Sequence, residues 1–317
     1  MGQKTTFFKQ FDKKQLAGSI LLLAVFVLPF FSYAEDKKIY VDRNYIGTEK
    51  GTKNQPYKTI AKALENASDN TTVDVAKGTY RENIEIPSRV TVAGSENDEV
   101  IIEPRNDDKP VVKMKHKSQL DEVTVRKGGI GIRVSEGDSA SISECIIKDN
   151  DKEGIKIESA SVNEKHEVSI TDNLIKNNGR NGILSEKRKL ILKKNEIIDN
   201  DGDGIGIMPG SEAWISGNTI KDNDKSGMRI NLDNSNISVR NNTYRDNKRE
   251  GVEIDAFGNG GRIDVTRSKF YENDRYGIVL VQKGNFSRSI WNGLTIQNNN
   301  KFWKNSSGDI SPIIRVN

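Results

Sequence analysis

Six segments of the chain carry the same run of hydrophobic and polar positions. An apolar residue is followed three places on by a polar one, usually Asn. Two further on comes an apolar residue, three further an Asn, four further a Gly, and then another apolar residue. Ile142, Cys145, Ile147, Asn150, Gly154 and Ile155 form one copy, and Ile170, Asn173, Ile175, Asn178, Gly182 and Ile183 the next. The series continues through the copies centred on Asn200, Asn223, Asn247 and Asn273. The second Asn position advances by 28, 22, 23, 24 and 26 residues, a period that indicates a solenoid. Inside each copy the apolar residues stand two apart, as in Ala213/Ile215 and Ile205/Ile207, which is strand and not helix periodicity. Three short strands per copy, joined by polar turns, predict a right-handed parallel β-helix of about ten coils, an all-β fold with a single chain winding the solenoid.

Stacking turns each repeated position into a column. The Gly column predicts a turn geometry other residues adopt only at a cost, and the Asn columns predict amide ladders along the axis. Cys145 and Ser268 occupy the Asn place at the two ends of the array. Cys145 therefore reads as an inward turn residue and not as a nucleophile, since nothing basic lies near it in sequence. Before the clean repeats, alternating runs such as Val73/Val75, Val90/Val92 and Val123/Val125 predict three to four irregular coils. Tyr57 to Ala67 predicts a helix with Ile60, Ala63, Leu64 and Ala67 on one face, placed to plug the open end of the solenoid. Phe286, Trp291, Phe302 and Trp303 predict a C-terminal cap.

Residues 1 to 34 read as an export signal. Lys13 and Lys14 precede an apolar run from Leu16 to Phe31, and Ser32-Tyr33-Ala34 offers small residues for cleavage after Ala34. An uncleaved anchor is the alternative. The expected organisation is a signal over 1–34, a strand and helix cap over 35–80, coils over 81–285, and a last coil with its cap over 286–317. The expected location is outside the cytoplasm: secreted, periplasmic or at the cell surface, with no membrane segment after cleavage.

Composition narrows the chemistry. Of the net charge of +4, three units fall before residue 35, and the remaining Lys and Arg alternate with Asp and Glu. That pattern excludes a nucleic-acid footprint. One cysteine excludes an internal disulfide, and His116 and His166 stand too far apart in sequence to suggest a His/Cys metal centre.

The stretches Ile39-Tyr40-Val41-Asp42, Gln55-Pro56-Tyr57-Lys58-Thr59-Ile60-Ala61-Lys62-Ala63-Leu64 and Val73-Asp74-Val75-Ala76-Lys77-Gly78-Thr79-Tyr80-Arg81-Glu82 resemble the N-terminal part of secreted bacterial pectin-lyase-like β-helix proteins. With the Asn/Gly repeats, the resemblance covers nearly all of the chain beyond residue 34. It implies the fold strongly and the activity weakly, because this fold hosts lyases, hydrolases, epimerases and adhesins. The Gly-His-Gly expected of the polygalacturonase-like hydrolases and the Asp-Pro-His-Asp expected of the alginate-epimerase-like members are both absent. A lyase of the pectate type needs only acidic residues for calcium and an Arg or Lys base, so it stays open.

Three places in the sequence offer chemistry. Asp199-Asn200-Asp201-Gly202-Asp203-Gly204 matches the first six positions of a calcium loop, but Gly210 stands where the twelfth-position Glu belongs. Asp222 and Asp224 repeat the acidic positions one coil on, so Asp199, Asp201, Asp203, Asp222 and Asp224 are candidate calcium ligands. The other reading is a solvated turn neutralised by Lys148, Lys176, Lys221 and Arg245 one position earlier. The second place is an outward column in which Trp214 lies beside Lys193 and Arg240, a platform for a sugar ring that carries a carboxylate; a Trp covered by a neighbouring loop is its rival. The third is a set of bases for β-elimination, Lys193, Arg229 and Arg240, although Arg229 should pair with Glu253 one coil on. Insertions near Glu158 to Glu167 and Asp255 to Gly261 leave the same side and, with Gln282 to Ser289, should wall a groove. The leading expectation is a monomeric β-helix that binds a polysaccharide or cell-surface glycan without strong catalysis. A calcium-assisted lyase of acidic glycans and a structural or adhesin spacer are the alternatives.

Overall fold

The structure is a computed structural model and describes residues 37–94, 99–284 and 290–316. The expected export signal and Phe286 lie outside these residues. Among the described residues no helix is long and apolar enough to cross a membrane.

Three parallel sheets of eleven, ten and ten strands run the length of the solenoid. One coil shows the path. Lys189–Lys193 lies in the first sheet, Glu196–Ile198 in the second and Ile205–Ile207 in the third, and the chain re-enters the first sheet at Glu212–Ser216. Each strand pairs with its equivalent one coil away, so like residues stack. Ile197 pairs with Ile220, Ile220 with Tyr244, Tyr244 with Phe270 and Phe270 with Phe302. The inward side chains of all three sheets make one thin apolar core, which is why a chain with only 34% hydrophobic residues folds.

Two buried amide ladders bind the coils at the corners. Asn173, Asn195, Asn218 and Asn242 form the first, each side-chain amide donating to the next Oδ1 at 2.9 to 3.0 Å. Asn150, Asn178, Asn200, Asn223, Asn247, Asn273 and Asn305 form the second at 2.8 to 3.0 Å. Cys145 and Ser268 end the first ladder: the Cys145 amide donates to Asn173 Oδ1 at 2.9 Å, and Ser268 Oγ accepts from the Asn242 amide at 3.2 Å. The left-handed residue at each corner is the one before the Asn, for example Lys194 and Asp199, both with φ of +53°. That leaves the Asn side chain turned inward to build the ladder.

The glycine column has a different cause from the one its sequence suggests. Gly154, Gly182, Gly204, Gly227, Gly251 and Gly277 are absent from the left-handed glycines. A Cβ at Gly204 would stand 2.6 Å from the Gly227 carbonyl oxygen, 2.6 Å from Ile220 Cγ2 and 3.0 Å from Asn223 Nδ2. The column is glycine because adjacent coils meet there backbone to backbone, beside the second ladder.

The helix at the N-terminal end spans Ile60–Glu65, shorter than the apolar pattern predicts, with Ile60, Ala63 and Leu64 buried. Thr59 caps it, and Glu82 takes its first free amides, Ile60 N at 3.1 Å and Ala61 N at 2.8 Å. The Gly-Thr-Tyr-x-Glu turn thus supplies the carboxylate that holds the plug. At the other end Phe302 stacks on Phe270 at 4.9 Å and Trp303 on Tyr271 at 4.1 Å. These two aromatics continue the columns, and the final strand leaves Ile310, Ile313, Ile314 and Val316 exposed.

Candidate functional site

The first sheet carries the Trp214 column on its outer surface. In Glu212–Ser216, Ala213 and Ile215 point into the core, which sends Trp214 outward between Ile191 and Ser238. The residue is 38% exposed, and no loop of the described residues covers it. The cation above its ring is Lys189, with Nζ 5.4 Å from the ring centroid and 3.4 Å from a Glu167 carboxylate oxygen. Lys193 and Arg240 occupy the next outward column, one strand to either side of Ser216, and so roughly 10 Å apart along the axis. Both are exposed, and neither makes an ion pair among the described residues. Trp214, Lys193 and Arg240 fall together as the repeat predicts. Lys189 is not announced by the Trp214 column: it sits two residues before the outward Ile191 and reaches the ring from the neighbouring strand.

The acidic turns divide among separate partners. Asp203 is buried and accepts from the Ser226 amide at 3.0 Å. Asp222 lies 3.7 Å from Lys221, and Asp224 lies 2.7 Å from Lys248. Asp199 and Asp201 are exposed on the turn. Burial holds the Asp203 carboxyl above its usual range, against the pull of the Ser226 amide and of Arg229. Among the described residues no three His, Cys, Asp or Glu side chains are grouped to hold a metal ion. Asp203, Asp222 and Asp224 are thus each engaged by a different partner, while Asp199 and Asp201 face solvent.

Arg229 belongs to a charged cluster on the third sheet. Its Nε and Nη2 donate to Asp255 Oδ2 at 2.9 and 2.8 Å, and Glu253 lies 3.6 Å away. Lys283 reaches the same Asp255 oxygen at 2.6 Å. Ser226 Oγ donates to Glu250 at 3.0 Å and to Glu253 at 3.2 Å. Asp255 is fully buried, and its second oxygen, Oδ1, has no hydrogen-bond partner among the described residues. Burial raises the Glu253 carboxyl above its ordinary value, and Arg229 only partly offsets it. Burial alone would lower the Arg229 guanidinium, but the bonds from Asp255 and the neighbouring negative charges leave it raised. A guanidinium held so tightly by carboxylates is a structural cation and a poor base. Of this cluster, only the Arg229–Glu253 pair was visible in the repeat.

The insertion at 158–166 rises at the corner between the third and first sheets, and the 257–261 segment leaves the same corner. His166 in the first insertion pairs through Nδ1 with the Gly137 carbonyl. Part of the Gln282 to Ser289 segment lies outside the described residues.

Comparison with known proteins agrees with this architecture. The chain matches the model of the right-handed beta helix region over residues 84–189 and 131–309. It is 29% identical over 242 residues to the uncharacterized protein YwoF of Bacillus subtilis strain 168, covering 67% of this chain and 49% of that protein. The chain thus spans about half the length of the curated relative it matches. Among solved structures, ORF18 of Geobacillus virus E2 aligns with a TM-score of 0.58 at 14% identity, over 87% of this chain and 60% of that one. Pectate lyase Pel9A aligns with a TM-score of 0.50 at 13% identity, over 87% of this chain and 78% of that one. At such identities the likeness is one of fold. With three parallel sheets, stacked Asn ladders and a match across most of its length, this chain belongs to the right-handed beta helix family.

Proposed function

We propose that this is an exported protein that binds an acidic polysaccharide on the outer surface of its first sheet. The observation that carries the reading is the exposed Trp214 ring beside Lys193 and Arg240, two cations that no carboxylate of the described residues neutralises. The ring supplies an apolar surface for a sugar, and the cations supply charge-assisted bonds for its carboxylates. That a pectate lyase shares the fold supports a glycan as the ligand. Export rests on the Lys13-Lys14, Leu16 to Phe31 and Ser32-Tyr33-Ala34 pattern.

The test is a binding screen of the purified chain against pectate, alginate and neutral glucans, with Trp214→Ala beside the wild type. Binding to a polyuronide should weaken with added salt. Trp214→Ala should lower affinity on the order of tenfold, the loss of about one aromatic contact. Equal binding by wild type and Trp214→Ala would remove the reading. Following ultraviolet absorbance in the same mixtures, with calcium or a chelator, separates binding from β-elimination: unsaturated products that grow only with calcium would make the protein a lyase.

A further inference from the structure

The central outward column that holds Trp214 does not end there. Register carries it back along the first sheet from Trp214 to Ile191, Ser169, Ser141 and Gln119, and then to Thr91 and Thr72. At that far end a groove of about 580 Å³ opens, lined by Asn70, Thr72, Arg89, Thr91, Lys117 and Gln119. Its floor is hydroxyl and amide. One wall is built by Asn70, Arg89 and Lys117, three corner residues with left-handed backbone at φ of +62°, +59° and +58°. Arg89 is paired with Asp69 at 2.9 Å. Lys117 is exposed and makes no ion pair among the described residues. Asp69 is taken up by Arg89, and the acidic residues on the strands themselves, Asp74 and Asp121, stand in the outward column beyond the central one, four residues along the strand direction from the Lys117 column and so roughly 13 Å from it. Asp121 is engaged by the Ser143 hydroxyl at 2.8 Å.

We propose that this groove is a second subsite for the same polymer, which lies along the solenoid axis from Trp214 to Lys117. The inference rests on the proposed glycan-binding role of Trp214 and adds to it a direction and a length. Five strand steps separate Thr91 from Trp214, a span of about 24 Å. Between the two ends the central column holds Ile191, Ser169 and Ser141; the two serines keep its middle low, and Ile191 adds an apolar step beside Trp214. Amide and hydroxyl groups suit the hydroxyls of a sugar ring, and Lys117 suits one carboxylate. Two subsites joined by one ligand raise the effective concentration at the second once the first is filled.

The experiment is calorimetric titration with oligogalacturonates shorter than this span and with ones long enough to cover it. Wild type should bind the long oligomers on the order of tenfold or more tightly than the short ones. Lys117→Gln combined with Gln119→Ala, both exposed positions, should bring the long oligomers down to the short-oligomer affinity and leave short-oligomer binding unchanged. Trp214→Ala should weaken both. Short-oligomer binding that depends on Trp214 but gains nothing with length would overturn the second subsite and leave the first standing. The same holds if the Lys117/Gln119 variant binds long oligomers as well as wild type does. No binding of either length by the wild type would overturn both sites for this class of polymer.

Discussion

Asn200→Ala should cost stability out of proportion to its size. Asn200 is fully buried in the middle of the second ladder. Its Oδ1 accepts from the Asn178 side-chain amide at 2.9 Å and from the Asn178 backbone amide at 3.2 Å. Its Nδ2 donates to Asn223 Oδ1 at 2.9 Å, to the Ile198 carbonyl at 3.0 Å and to the Ile175 carbonyl at 3.4 Å. Alanine strands the Asn178 donors, which no water can reach, while Asn223 Oδ1 keeps the Asn200 backbone amide at 3.2 Å. At about 1–3 kcal/mol for each stranded buried group, and with a small void added, the expected loss is about 3–5 kcal/mol. Urea unfolding followed by far-ultraviolet circular dichroism should show a lower midpoint at an unchanged slope. Asn236→Ala, an exposed strand position, should stay within about 0.5 kcal/mol. The pair Asn200→Ala and Asn223→Ala should cost less together than the sum of the single losses, because the second change removes a partner of the first. A loss below about 1 kcal/mol for Asn200→Ala, or strict additivity in the pair, would refute the claim that the ladder acts as one hydrogen-bonded unit.

Gly204→Ala should destabilise the fold although the backbone there is not left-handed, since the added methyl meets the Gly227 oxygen at 2.6 Å; a neutral urea midpoint would show that the coils can part. Cys145 is buried with its thiol pushed up to about 12, chiefly by desolvation. It should resist a thiol reagent at pH 8 in the native protein and react at once in urea, and prompt native labelling would contradict its inward placement. Asp203 is held above its ordinary range by burial, so the folded state binds its proton more readily than the unfolded state does. Its charge therefore costs stability at neutral pH, and the cost fades as pH falls through the raised value toward the unfolded one, about 3.9. Asp203→Asn keeps an acceptor for the Ser226 amide and should gain stability over wild type at pH 7, with the gain shrinking toward pH 4. A gain that grows on acidification would reverse the assignment.

How much of this was legible depends on whether a residue speaks through its own column or through neighbours from several strands. Ile197 and Asn200 repeat with the coil, so periodicity alone places one in the core and the other in a ladder. Trp214 follows from the same alternation, one residue either side of inward Ala213 and Ile215. The glycine column was visible as a column, but its cause was not. A close approach between two backbones is a property of the stacking distance, whereas sequence shows only that a side chain is missing.

The charged clusters show where column logic stops. Arg229 and Glu253 are register partners, and the repeat predicted their contact. Asp255 is two residues further along the same strand, at an alternate position that should face solvent, yet it is fully buried. The reason is that Arg229 and Lys283, both long side chains, lean over it from the strands on either side and close it off. Lys283 itself stands past the regular repeat, at the end of an eight-residue strand, so no column announces it. Arg188 makes the same point at another corner: it is fully buried and reaches the Ser135 carbonyl at 2.8 Å, two coils away. A long flexible side chain spans more than one strand spacing, and a one-dimensional pattern that records only position cannot say which neighbour it will cover. The Trp214 surface obeys the same measure: alternation turns the ring outward, but Lys189, which reaches over it from the neighbouring strand, is again a long side chain that its own column does not announce.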